Sequence, residues 1–262
     1  MTKNRIQILK EKMLSQPRYV SIEQALIITK TYKQHENEPI ILKRAYALAN
    51  ALRELEIGIE NEELIVGNRT KGVRYGVVFP ESGISWVDRE FETISTRKQD
   101  KFLVRDEDIK IFREQIVPYW KGKSLEDVIK QNFGKEISAI NKVVKINQTD
   151  HAQGHICPNV EKWLQKGVSG LLEDAQNHYK NADEDKKNFY QAIIIVMKAV
   201  QNFMLRYHDL LIATAKDDEK NRASLIKVAD ICKNISQRPP QTFHEAVQAT
   251  WFLFVILHME SN

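Results

Sequence analysis

The sequence predicts a mainly α-helical protein with a few short strands. Apolar residues recur at helical spacing over long stretches, as in Ile41, Ala45, Leu48, Leu52 and Leu55. Strand-like texture is confined to residues 58–85, where glycines at 67, 72, 76 and 83 and Pro80 break any helix. The chain has 262 residues, 42% of them hydrophobic and 28% charged, which is enough for one large domain or two small ones of ordinary globular composition.

Taken in order, residues 4–14 read as a short amphipathic helix with Ile6, Leu9, Met13 and Leu14 on one side. Ser21 is placed to cap a second helix over 22–35. A third begins at Glu38-Pro39, where proline suits the first turn, and runs to about Glu56. Residues 58–85 read as irregular chain crossing a surface, with short extended pieces at Glu63–Asn68 and Val77–Glu81. Helices resume over 84–96 and 106–117, and Pro118 to Gly122 reads as a stop. Ser124 caps a helix to about 133, and others follow from Pro158 to Lys180, over 183–215 and over 219–235. After Arg238-Pro239-Pro240, Thr242 caps a last helix through Met259, with Glu245 in capping-box position.

That last helix contains W-F-L-F-V-I-L and is apolar on every side, so it is expected to be buried on every side. Half-exposing seven such side chains forgoes about 5–10 kcal/mol. With Glu260-Ser261-Asn262 following directly, the expectation is that covering structure comes from a missing C-terminal portion or a partner chain.

Net charge is +4 and spread out, without the clustered basic face that nucleic-acid binding uses. The longest apolar run, Ala249 to Leu257, is too short to span a bilayer, and the N-terminus has no apolar signal core. The two cysteines form no framework and no C-x-x-C pair, so a cytoplasmic location is expected.

Chemistry-bearing side chains crowd in one stretch, Asp150 to Gly167, which holds Asp150, His151, His155 and Cys157. Gly154 allows close backbone approach to a bound molecule, and Pro158 suits the first turn of the following helix. Free N–H groups at that helix start face whatever lies before it, so His155 is placed like a ligand-contacting residue on a braced loop. A capping or core role for the histidine stands beside that reading. His151 and His155 are four apart with Cys157 close by, yet Gly154 and Pro158 argue against a helix and no H-E-x-x-H is present, so zinc is the weaker reading and no metal is expected. Neither Cys157 nor Cys232 sits in a pattern that lowers a thiol pKa, and Cys232 reads as a small core residue. No G-x-S-x-G or phosphate-binding glycine loop occurs, and His244 reads as a surface or capping residue.

Several stretches, in order, resemble the N-terminal region of glycyl radical enzymes of the pyruvate formate-lyase type: Glu63–Asn68, Phe79-Pro80-Glu81, Ile116–Gly122, Gly154-His155, Pro239–Gln248 and the closing E-S-N. Their texture is nearest the glycerol, choline-lyase and hydroxyproline-dehydratase branch. The resemblance implies the N-terminal helical portion of a ten-stranded α/β barrel, with residues 1–262 an incomplete segment of the pyruvate formate-lyase domain. It implies radical cleavage of a C–O, C–N or C–C bond in a small polar substrate, or formate C-acetyltransferase chemistry. The radical is installed by an activating enzyme that uses S-adenosylmethionine and an iron–sulfur cluster, so no cofactor is expected on this chain. By motif position His155 contacts a substrate hydroxyl, and Asn147 falls where relatives place a pocket wall. A homodimer is implied for the complete enzyme.

The departures bear on activity. The thiyl cysteine of the family lies in G-C-I-E or G-C-V-E, whereas Cys157 is in I-C-P and Cys232 in D-I-C-K. The radical glycine lies in R-V-x-G-Y, which is absent here along with the glycyl radical domain that carries it. No catalytic residue is therefore assigned, and these 262 residues alone are expected not to turn over substrate. The alternatives are a helical docking module that needs a partner chain, and a small zinc protein at His151, His155 and Cys157.

Overall fold

The computed structural model describes residues 4–60, 62–144 and 157–260. Its helices are α1 (Arg5–Ser15), α2 (Glu23–Gln34), α3 (Ile40–Glu54), α4 (Ser85–Glu90), α5 (Asp106–Ile111), α6 (Val117–Trp120), α7 (Leu125–Ile140), α8 (Val160–Lys180), α9 (Glu184–Asp217), α10 (Arg222–Gln237) and α11 (Phe243–Glu260). Strands β1 (Tyr19–Ser21) and β2 (Tyr75–Val77) complete the regular structure, with a 3-10 turn at Ile94–Thr96 and a π-helical turn at Phe112–Ile116. The mainly helical expectation stands. The chain divides into two units, one drawn from residues 1–16, 30–73 and 157–260, the other from 17–29 and 74–156.

The first unit is a helical assembly along α9, against which α3, α8 and α10 pack. The inward stripe of α9 comprises Ala199, Val200, Phe203, Met204, Tyr207 and Leu211, all but lost to solvent. Leu52 of α3, Cys232 of α10 and Phe252 of α11 are equally buried. The Arg206 guanidinium donates to the Leu52 and Leu55 carbonyls at 2.7 and 2.5 Å, closing the end of α3 where carbonyls lack helical partners. Asn4 opens α1 with a capping box to Gln7, and no residue of α1 is buried.

The second unit is built on the parallel pair β1–β2, in register Tyr19↔Tyr75, Val20↔Gly76 and Ser21↔Val77. Strand β1 was not expected, since three residues carry no readable alternation. Trp120 donates through its indole N–H to the Thr29 hydroxyl at 2.8 Å, fixing α6 on the middle of α2.

Several expected boundaries are corrected. Glu63–Asn68 is not a strand: the Glu63 N–H bonds the Glu60 carbonyl, and backbone groups of Leu64, Val66, Gly67 and Asn68 pair with side chains. The second extended piece lies two residues earlier, at β2. Residues 58–85 do not simply cross a surface, because Val66, Thr70, Val78 and Ile84 are buried. The 84–96 helix ends at Glu90. Pro118 is not the stop, since the π-helical turn precedes it and the chain stays helical to Trp120. A widened turn accommodates a residue that lacks an N–H and crowds the preceding carbonyls. The stop comes at Lys121-Gly122, with Gly122 at φ +79°. Helix α7 continues to Ile140 through a kink at Phe133, where its end was expected.

The last helix is not buried on every side. Ala249, Phe252, Val255, Ile256 and Met259 face the core, whereas Phe243, Val247, Trp251 and Phe254 lie open along one stripe, Phe243 at 86% exposure and Phe254 at 49%.

Candidate functional site

His155, Asn147, Asp150 and His151 lie outside the described residues. Cys157, the first described residue beyond them, is exposed. Burial pushes the Cys232 thiol up to about 12, in keeping with an inert core cysteine.

The chain from Cys157 onward leads into α8, whose start is fixed by local caps and contacts. Asn159 caps α8 by accepting from the Lys162 N–H at 2.9 Å. One turn on, the buried Trp163 donates its indole N–H to the Ala249 carbonyl at 2.9 Å, pinning the start of α8 to the middle of α11. The helix is then interrupted at Gly167, with φ +63° and ψ 178°, a conformation that side chains essentially exclude. A Cβ there would lie 2.9 Å from the Pro239 nitrogen. The interruption lets the Arg238-Pro239-Pro240 segment lie directly against the α8 backbone. The sequence predicted one continuous helix here, because a single glycine gives no signal of a left-handed break.

The segment Leu64–Arg69 is strapped onto α11 almost entirely by side chains. His244 Nε2 donates to the Leu64 carbonyl at 2.7 Å. The buried Gln248 amide serves both backbone groups of Val66, accepting from its N–H at 2.9 Å and donating to its carbonyl at 2.6 Å. Trp251 donates to the Gly67 carbonyl at 2.8 Å, Tyr207 accepts from the Asn68 N–H at 3.0 Å, and Arg69 reaches the His258 carbonyl at 3.1 Å. A side-chain amide thus replaces the neighbouring strand that the E-L-I-V-G-N pattern suggested. Gly67, at φ +127°, brings its backbone onto the Phe252 ring, where a Cβ would meet the ring at 3.0 Å. His244 is neither a cap nor a free surface residue; it positions the strap. Gln248, Tyr207 and Trp251 escaped sequence reasoning, although a glutamine between apolar residues on a buried helix was a usable signal.

Electrostatics lock the same corner. Burial would raise the Glu245 carboxyl, but hydrogen bonds from Arg238, the Gln241 N–H and Asn234 outweigh it and hold the group at about 2. Thr242 accepts from the Glu245 N–H at 3.2 Å, so half of the expected capping box forms, while the carboxylate reaches Gln241 N–H at 2.7 Å and Arg238 at 2.8 Å. Burial raises Glu63 and Tyr207 and lowers Arg69. Among the described residues, no group of three or more His, Cys, Asp or Glu is disposed to hold a metal, and no helix is long and apolar enough to cross a membrane. The described corner is therefore a hydrogen-bonded structural frame around α8 and α11.

A family model described as pyruvate formate lyase-like matches residues 1–262. The chain belongs to the pyruvate formate lyase-like family. It is 32% identical over 255 residues to a probable dehydratase, YbiW, of Escherichia coli strain K12, covering 93% of this chain and 31% of that protein. It is 27% identical to the (2S)-3-sulfopropanediol dehydratase of Klebsiella oxytoca, covering 98% of this chain and 33% of that one. The glycerol-bound B12-independent glycerol dehydratase of Clostridium butyricum superimposes with a TM-score of 0.93 at 31% identity, over 100% of this chain and 35% of that structure. The chain thus spans about a third of the length of the relatives it matches, and its fold is an N-terminal, mainly helical part of the glycyl radical enzyme architecture.

Proposed function

We propose that residues 1–262 are the N-terminal segment of a pyruvate formate-lyase domain in a glycyl radical lyase or dehydratase that cleaves a C–O, C–N or C–C bond of a small polar substrate. The observation that carries this reading is agreement with a glycerol dehydratase over the whole chain at a TM-score of 0.93. In this role the segment contributes substrate contacts and shape. His155 hydrogen-bonds a substrate hydroxyl, and Asn147 supplies a polar pocket wall. Fixing such contacts on a braced frame is what orientation demands of a reaction that must shield a radical from water. The radical-bearing cysteine and glycine come from polypeptide outside these residues, since neither family motif occurs among them. The same polypeptide covers the open Val247–Trp251–Phe254 stripe of α11, which also accommodates the docking-module reading. The complete enzyme is a cytoplasmic homodimer served by an activating enzyme.

The test is an anaerobic assay of the complete native assembly, activated with its activase and S-adenosylmethionine, against glycerol, propane-1,2-diol, trans-4-hydroxyproline and 3-sulfopropanediol. Consumption of at least one substrate is expected, with His155→Ala lowering kcat/KM about 100-fold or more while the radical signal persists. Turnover by residues 1–262 alone, or an unchanged His155→Ala enzyme, would overturn the proposal.

A further inference from the structure

The second unit contains a part-open cavity of about 320 Å³. Its floor is the paired β1 and β2 at Val20 and Val77, and its walls carry the rings of Phe79, Phe91 and Phe102, with Trp86 toward the rim. Protein interiors ordinarily close such space, and this volume falls at the lower end of small-molecule pockets. Two glycines set the aromatic walls. A Cβ at Gly76, opposite Val20, would meet the Phe102 ring at 3.1 Å, and one at Gly83 would meet the Trp86 indole at 2.9 Å. Behind Phe91 stands Phe112 of the π-helical turn, edge-on at 5.0 Å. Turns of that kind occur frequently at functional sites.

The polar lining is small and balanced. Glu90 and Arg97 are paired with one another. Asp100 is paired with Arg18 at 2.8 Å, and Arg18 lies over the Phe102 ring at 5.6 Å from its centre. Ser82 adds a hydroxyl to the lining. Every charge lining the cavity has its counter-charge, so a charged guest would have to break an existing pair. A neutral guest keeps both pairs and still meets donors and acceptors at the edge.

We propose that this cavity is a binding site for a neutral, single-ring aromatic molecule bearing one hydroxyl group, an inference that does not rest on the function proposed above. The ring packs among Phe79, Phe91 and Phe102, and the hydroxyl meets Ser82 or the Glu90–Arg97 pair. Ring-on-ring contacts of this kind add to simple burial, which favours an aromatic over an aliphatic guest.

The test titrates benzyl alcohol into the full 262-residue chain and follows methyl resonances of Val77, Val87 and Ile94 together with Trp86 fluorescence, assigned with Trp86→Phe. Saturable one-site shifts at those methyls are expected, with benzoate and benzylamine binding at least tenfold more weakly. Val78→Trp, or Ile94→Phe should the first not fold, fills the cavity and is expected to abolish the shifts. Absence of saturable shifts in the unmutated chain, equal binding of the charged analogues, or retained binding in a folded cavity-filled variant would each overturn the site.

Discussion

Glu245 is the residue whose chemistry the structure fixes most tightly. Its carboxyl has an ordinary value of 4.5 and is held at about 2 by Arg238, the Gln241 N–H and Asn234, against the opposing effect of burial. A lowered folded-state pKa stabilises the fold above the unfolded value, and that contribution is lost as pH falls through the folded one. The window here runs from about pH 4.5 down to about pH 2, and the contribution is on the order of 3 kcal/mol. Glu245→Gln is therefore expected to cost about 2–3 kcal/mol at pH 7 and progressively less toward pH 2, read from urea unfolding of the two chains at each pH. Gln248 offers a test without charge. Gln248→Leu leaves the buried Val66 N–H and carbonyl without their partners, at about 1–3 kcal/mol for each unsatisfied group. A loss of about 2–4 kcal/mol is expected in the same unfolding measurement. A change below about 0.5 kcal/mol would mean that the strap is not held by this amide.

At the scale of elements, what the sequence revealed and what it hid have separate physical causes. A helix with a long inward stripe, such as α3, was legible because burial repeats at 3.6 residues, whereas α9 was legible as a helix but not in which face it buries. The Ser124 cap and the breaks after α8 and α10 were legible from local chemistry, since a hydroxyl or a Pro-Pro pair acts within a few residues. Glu63–Asn68 misled because an apolar run records burial and not the identity of its hydrogen-bond partner, here a glutamine 182 residues away. Gly167 misled because a left-handed break leaves the surrounding helical pattern intact. Gly167→Ala is expected to destabilise by at least about 2 kcal/mol, through strain at φ +63° and contact with Pro239, as seen in a lowered melting midpoint. Helix α11 misled in a third way, since uniform greasiness does not say which face meets which neighbour. Phe252→Ala on its buried face is expected to cost about 3–5 kcal/mol. Phe254→Ser on the open stripe should change stability by no more than about 0.5 kcal/mol while weakening association with covering polypeptide, measured by co-purification.

At the scale of the whole molecule, the described residues of the first unit supply a structural frame. The frame, made by α8, α11, the Leu64–Arg69 strap and the Glu245 cluster, accounts for the Glu63–Asn68 and Pro239–Gln248 motifs of the family as structural devices. His155 and Asn147, which the sequence singled out for substrate contact, lie outside the described residues. In the proposed function, this segment works only together with polypeptide carrying the radical cysteine and glycine. The most direct measurement captures the native product anaerobically with an antibody to the exposed α1 and determines its intact mass and peptide content. A species well above 30.5 kDa, or a stoichiometric complex, is expected, containing peptides with both G-C-I-E or G-C-V-E and R-V-x-G-Y motifs. A lone 30.5 kDa chain, with neither peptide present in the captured material, would contradict it.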